Sequence, residues 1–381
     1  MASKRPPGAP APRRVLVTIV GAGPAGLGMA RVLRDLAIPC LVLERDRIGA
    51  SFRRWPAGMR FISPSFPGNA FGLTDLNAIS YDSSPAYTLG REHPSGADYA
   101  RYLRGASEAF GIGVTTGVDV TALAPDDGAI LLHTTQGPIR SRFVIWAAGQ
   151  FQYPDLTPFP GAELGIHTSR VPAWTQYPGQ EEALVIGGYE SGMDAAIGLA
   201  QAGRKVTVLS RSSPWAEEGA ADPSVALSPY TQQRLRTAVR KLPIKLIGGV
   251  DVLGLARDDN AIRVLAADGR SWRTETKPLL ATGFTGSTGL IADWFDWDGS
   301  HPVLTAQDES SVLPGLFLVG PEVRHGAHLF CFIYKFRQRF AVVARAIAGR
   351  LGIDTDPLEP YRSNNMFLDD LSCCDQGNCV C

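Results

Sequence analysis

Apolar residues in this chain gather in short unbroken runs, separated by stretches of helical period and by clusters of Gly, Pro and Ser. Val15-Leu16-Val17-Thr18-Ile19-Val20 is one such run, and Leu41-Val42-Leu43, ending at Glu44, is the next. Runs this short and continuous suit parallel strands buried on both faces. The stretch between them has helical spacing, so strand, helix, strand is predicted. The same order returns with Ala183-Leu184-Val185-Ile186, a helical stretch, and Val206-Thr207-Val208-Leu209. Two such alternations place the chain in the α/β class.

Other elements follow from the same pattern. Residues 47–94 read as a long loop carrying Trp55, Phe61, Phe66, Phe71, Tyr81 and Tyr87, and a loop of that length is usually functional. A helix is expected from Ser95 to Phe110, with strands near 113–123, 129–134 and 138–146. Pro154, Pro158, Pro160, Pro172 and Pro178 mark a crossing segment, so the second unit reads as inserted within the first. Residues 278–280 and 315–320 read as further strands. His328 to Gly349 reads as one long helix, with Cys331 buried in an aromatic core and Lys335, Arg337 and Arg339 on a solvated face.

Between strand and helix of the first unit stands Gly21-Ala22-Gly23-Pro24-Ala25-Gly26. The first glycine allows a tight turn, the second lets a pyrophosphate approach the backbone, and the third lets the helix pack on the strand. Unpaired N–H groups at the helix start attract the anion, and Pro24 loses nothing there. Glu44, with Arg45 after it, closes the second strand, where a carboxylate accepts ribose hydroxyls and repels a 2′-phosphate. The first unit is therefore expected to prefer FAD or NAD over NADP, and with a second nucleotide unit in the same chain a flavin here beside a nicotinamide there is the natural reading. In the second unit Gly187, Gly188, Ser191 and Gly192 fit the motif, but Tyr189 replaces its central glycine. That strand pair ends in Ser210-Arg211-Ser212, whose guanidinium suits the 2′-phosphate of NADPH. The fold expected is thus an FAD-binding Rossmann-like domain with an inserted NAD(P)H-binding Rossmann-like domain and a cysteine-rich C-terminal tail. Its parts are 1–13 (disordered leader), 14–158 with 278–350 (FAD), 159–277 (NAD(P)H) and 351–381 (tail). Small residues at two strand exits, Ala147-Ala148-Gly149 and Ala281-Thr282-Gly283, are hinge candidates, and Gly149 is counted with the FAD contacts.

With 381 residues, 45% of them hydrophobic, the chain can bury two full cores. Its 37 basic and 37 acidic residues cancel, which argues against a nucleic-acid partner or a membrane surface. The proline-rich start lacks the apolar core of a signal peptide, and no run reaches membrane-span length, so a cytoplasmic location is expected. Four of the six cysteines, Cys373, Cys374, Cys379 and Cys381, crowd the last residues. A secreted disulfide scaffold would spread them, so a redox-active or soft-metal-binding tail is expected.

These residues resemble the two-dinucleotide flavoproteins: FAD-dependent, NAD(P)H-using enzymes such as thioredoxin reductases, bacillithiol-disulfide reductases and flavin-containing monooxygenases. Phe159-Pro160-Gly161 with His167-Thr168-Ser169 is similar to the linker motif of class B flavin monooxygenases, which implies an orienting role for His167 at the hinge. Arg60-Phe61-Ile62-Ser63-Pro64 resembles short monooxygenase-like proteins. Residues 222–230 look like the bacillithiol-disulfide reductase branch. Gly320-Pro321 stands where the family has its second flavin motif, and Leu371-Ser372-Cys373-Cys374 resembles the end of mercuric reductases. The thioredoxin-reductase mechanism needs a Cys-x-x-Cys that the chain lacks. The resemblance implies an FAD- and NADPH-dependent oxidoreductase, a monooxygenase acting on a small soft substrate such as a thiol compound or trivalent metalloid. Two alternatives stand beside it: a disulfide or metal-ion reductase using the tail cysteines, and a flavin-binding redox sensor. A homodimer is the oligomer such proteins suggest.

Overall fold

The computed structural model describes residues 12–66, 74–179, 182–217 and 224–372. Strand β1 (Arg13–Val20), helix α1 (Pro24–Asp35) and β2 (Cys40–Glu44) form the first parallel unit. β1 begins at Arg13, two residues earlier than the apolar run suggests, because Arg13 and Arg14 pair with Ile139 and Arg140. Two short helices follow, α2 (Ala50–Arg53) and α3 (Pro85–Leu89), then α4 (Gly96–Ala109). The last starts where the sequence places it: the Ser95 side chain accepts the Asp98 N–H while Asp98 accepts that of Ser95, a reciprocal cap. β3 (Val114–Thr116), β4 (Val120–Asp126), β5 (Ala129–Thr134) and β6 (Ile139–Trp146) complete a sheet of order β3-β2-β1-β6-β5-β4. The strand Leu316–Leu318 returns from far along the chain and pairs with the end of β6.

The second sheet has the order β10-β9-β8-β14-β7. Its strands are β7 (Ile166–His167), β8 (Ala183–Ile186), β9 (Val206–Leu209), β10 (Ile244–Ile247) and β14 (Leu279–Leu280), all parallel. Helices α5 (Glu190–Gln201) and α6 (Pro229–Val239) belong to it, and the antiparallel β11 (Val252–Asp258), β12 (Ala261–Ala266) and β13 (Ser271–Thr274) form a small third sheet. The expected boundary at residue 278 needs correction. Leu279–Leu280 lies between β8 and β7 in the second sheet, so the chain leaves that unit only after β14. No described helix is long and apolar enough to cross a membrane.

The long C-terminal helix is also corrected. His328 belongs to a small hairpin, Arg324–His325 with His328–Leu329, and helix begins only with α7 (Ile333–Phe336), continuing through one tighter turn into α8 (Phe340–Leu351). Lys335, Arg337 and Arg339 are buried rather than solvated. Arg337 donates to the carbonyls of Thr74, Asp75 and Ala78, so it fastens that loop to the helix; burial lowers its pKa to about 10. Arg339 grips Asp308 through Nε at 3.0 Å and Nη2 at 2.8 Å, and donates to Leu368 and Ala306 carbonyls. Lys335 donates to Ser224.

Candidate functional site

The first glycine motif forms a preformed anion cradle. Gly21 has φ +109°, and a β-carbon there would come within 2.5 Å of the Ala147 carbonyl oxygen. One on Gly26 would overlap the Gly21 carbonyl, so the start of α1 can lie against the turn only with glycine at both places. Above Gly23, by contrast, nothing lies within 4 Å, and no side chain caps α1. The free N–H groups of this helix start thus face open space. Glu44 is fixed beside them, accepting the Ala22 N–H on Oε2 and the Asp46 N–H on Oε1, each at 2.9 Å. Each oxygen keeps a further lone pair for a ribose hydroxyl. Gly21, Gly23, Pro24, Ala25, Glu44, Arg45 and Gly149 all line one cavity of about 380 Å³. Gly320 lies beneath Ala25, and its neighbour Pro321 reaches the cavity instead. Glu322 takes no part: its carboxylate accepts the N–H and hydroxyl groups of Ser287 and Thr288. A dinucleotide such as FAD fits this cradle.

The second motif is built the same way. Gly187 has φ +114°, and β-carbons on Gly187 and Gly192 would overlap the Ala281 and Gly187 carbonyls. Tyr189 has φ −89° and ψ −163°, close to Gly23 at φ −84° and ψ −171°, so the backbone admits a side chain there. The residue is 47% exposed, so its side chain meets solvent. Gly188 packs under Ser210 and Trp215, Arg211 is exposed after β9, and Ser191 reaches the cavity.

Glu190 in the first turn of α5 is a feature absent from the first unit. Its carboxylate accepts the Ser228 N–H and the Thr231 hydroxyl, each at 2.5 Å. Burial nevertheless raises its pKa above the ordinary value. The stabilisation present at acid pH, below the ordinary carboxylate value, is lost as pH rises through the raised one. Glu190→Gln is therefore expected to melt higher than the parent at about pH 8 and together with it at about pH 4, read by thermal denaturation. Equal melting at both pH values would refute the burial cost.

The cavity joins the two units. Its wall is a ladder of rings: Phe52 and Phe61 (5.5 Å), Phe61 and Trp55 (5.0 Å), Trp55 and Phe151 (6.3 Å), Phe151 and Phe284 (5.4 Å). The first three come from the long loop, Phe151 from the crossing segment and Phe284 from beyond β14. Facing them are Asp194 of α5 and Arg234 of α6, paired at 2.8 Å, with the Trp174 indole N–H on the other Asp194 oxygen. Cys331 lines the cavity, half-buried, and donates to Ser224; the expected aromatic core does not enclose it. His167 sits buried at the hinge, its Nε2–H donating to the Gly283 carbonyl at 3.0 Å while Nδ1 accepts from Ser169. Burial lowers its pKa, so the ring is neutral and acts as a clip between β7 and the exit of β14.

Cys373, Cys374, Cys379 and Cys381 lie outside the described residues. Among the described residues no group of three or more His, Cys, Asp or Glu could hold a metal ion. Asp194 and Arg234 were not singled out by sequence reasoning. Asp194 follows Ser191 by one helical turn, a spacing that marks a shared face, but nothing local says that this face meets a cavity.

Comparison with known proteins agrees with this geometry. The family model described as pyridine nucleotide-disulphide oxidoreductase matches residues 18–320. The indole-3-pyruvate monooxygenase YUCCA1 of Oryza sativa subsp. japonica is 29% identical over 203 residues, 51% of this chain and 47% of that protein, so the match spans about half of its length. The bacilliredoxin reductase Bdr of Bacillus subtilis is 23% identical over 245 residues, 64% of this chain and 69% of that protein. Among solved structures, the bacillithiol disulfide reductase Bdr of Staphylococcus aureus superposes with a TM-score of 0.72 at 18% identity, covering 89% of this chain and 99% of that one.

Proposed function

Since the chain belongs to the pyridine nucleotide-disulphide oxidoreductase family, we propose that it is an FAD- and NADPH-dependent monooxygenase acting on a small, soft substrate such as an organic sulfur compound. One observation carries this reading: the cavity shared by the two glycine units is walled by aromatic rings and, among the described residues, is lined by a single thiol, Cys331. A dithiol relay needs two thiols in contact, and the other described cysteine, Cys40, is half-buried at the start of β2, away from the cavity lining, with its pKa raised to about 11 by desolvation. Polarisable sulfur packs well against ring edges.

In this reading Gly21, Gly23 and the start of α1 hold the FAD pyrophosphate, and Glu44 holds the adenosine ribose. Gly187, Ser191 and Gly192 hold the nicotinamide dinucleotide, with Arg211 at its 2′-phosphate. The flavin supplies the chemistry, passing electrons from NADPH to oxygen; the chain supplies binding, orientation and exclusion of water. For a thioether the balance is one sulfide, one NADPH, one proton and one O₂ giving one sulfoxide, NADP⁺ and water. Methyl phenyl sulfide under ¹⁸O₂ is expected to yield sulfoxide carrying one labelled atom, with NADPH and oxygen consumed in equal amounts. Unlabelled product, or NADPH oxidation that needs no oxygen, would overturn the reading.

The bacilliredoxin reductase relative favours a second reading, an NADPH-dependent reductase in which the tail cysteines receive electrons. Anaerobic turnover of a disulfide that disappears in Cys373→Ser/Cys374→Ser would select it.

A further inference from the structure

The cavity holds more arginine than its ion pairs use. Arg54 is paired with Asp46, Arg45 lies over the Tyr153 ring, and Arg234 is paired with Asp194. Arg60 differs. Its Nη1 donates to the carbonyls of Ala57 at 3.1 Å and Met59 at 2.9 Å, which fixes the plane of the guanidinium. Its Nε and Nη2 make no hydrogen bond with any described residue. That edge is the fork that a carboxylate takes up with two parallel hydrogen bonds. The cavity carboxylates do not use it: Asp194 is engaged by Arg234 and Trp174, and Glu190 by Ser228 and Thr231. Asp194 feels the charge of Arg60 through space but makes no hydrogen bond to it, so the fork's donors stay open.

Arg60 stands beside the ring ladder, directly before Phe61 and after Met59. Trp55, Met59, Phe61, Phe151 and Phe284 make an apolar bed, and the open guanidinium edge is at its side. We propose that the substrate accepted here carries a carboxylate on an apolar, aromatic-sized body, and that Arg60 is the specificity-determining residue that receives the carboxylate. This rests on the proposed monooxygenase reading and names the substrate class of the same cavity. Such a ligand meets both requirements at once, since the rings take the body and the fork takes the charge. A neutral isostere would leave the fork's donors unpaired inside a largely apolar wall, which is where discrimination arises.

The test uses FAD-loaded enzyme and two probes of equal shape, (phenylthio)acetate and 2-(phenylthio)acetamide, titrated by calorimetry at neutral pH. The parent should bind the carboxylate at least about tenfold more tightly than the amide, a charge-assisted fork being stronger than a neutral contact. Arg60→Met should level the two while leaving amide affinity within about twofold, and Arg60→Lys, which keeps the charge but not the fork, should fall between them. A parent that binds the amide as tightly, or takes up neither probe, overturns the proposal, as does an Arg60→Met protein that keeps the preference. Loss of NADPH affinity in Arg60→Met with the probe preference intact also overturns it, assigning the guanidinium to the nucleotide. The parent comparison needs no variant, so poor folding of either substitution leaves the proposal falsifiable. NADPH reduction of the flavin, followed on the same samples, fails separately if the monooxygenase reading is wrong.

Discussion

Gly26→Ala will lose its flavin on purification, whereas Gly192→Ala will keep flavin and lose its reduction by NADPH. The two substitutions are the same experiment in two places. In each unit the third glycine of the motif lies directly over the carbonyl of the first, Gly26 over Gly21 and Gly192 over Gly187. An added methyl must push helix away from turn, and the turn is where the dinucleotide phosphates have to sit. Forcing a methyl group into a packed position costs about 1–3 kcal/mol, up to ~100-fold in affinity if the cost falls on the loaded state. The flavin-to-protein absorbance ratio reads the first effect, and anaerobic bleaching of the flavin by NADPH reads the second. Retention of flavin by Gly26→Ala would refute the assignment of the first unit. Loss of flavin from Gly192→Ala with Gly26→Ala intact would reverse the two roles.

The features that make this prediction sharp were legible in the sequence because they are local. Turn, glycine and helix start lie within a few residues of one another in both motifs, and Ser95 with Asp98 marks the start of α4 for the same reason. The misread features depend on partners distant in sequence. Lys335, Arg337 and Arg339 look like a polar face because nothing nearby in the chain neutralises them. Their acceptors are the carbonyls of Thr74, Asp75 and Ala78, the carboxylate of Asp308 and the hydroxyl of Ser224. A loop that presents carbonyls inward can bury a guanidinium without any acid, and no periodicity reveals that.

Cys331 was misplaced for a related reason. Its aromatic neighbours Phe330 and Phe332 suggest a core, but the hairpin before it turns the chain so that Phe330 packs inward while Cys331 and Phe332 reach the cavity. The cavity itself was only half visible. Trp55 and Phe61 stood out in an unusually long loop, but the ladder they start is finished by Phe151 and Phe284, which the sequence offers only as residues beside hinges. What assembles them is the return of β14 between β8 and β7, a long-range sheet position.

Asp308→Asn will be the most destabilising single substitution in the C-terminal half, by about 3–5 kcal/mol. Asp308 is fully buried and accepts from both Nε and Nη2 of Arg339, also fully buried, and from Nε2 of His325 at 2.6 Å. Asparagine keeps the shape and tolerates the left-handed backbone at this position, φ +62°, so the substitution isolates the charge. The guanidinium then stays buried without its counter-ion, the costly half of a broken pair. Removing both charges, in Asp308→Asn/Arg339→Met, should cost less than Asp308→Asn alone, because no buried charge is then left without a partner. The consequence reaches the site, since His325 lies in the hairpin that leads into Cys331 and Phe332 of the cavity wall. Urea denaturation should therefore show Asp308→Asn below the double variant Asp308→Asn/Arg339→Met, with flavin released before the main transition in the former. The reverse order of stability would mean that the network's worth lies in the carbonyl contacts of Arg339 to Ala306 and Leu368 and not in its ion pair.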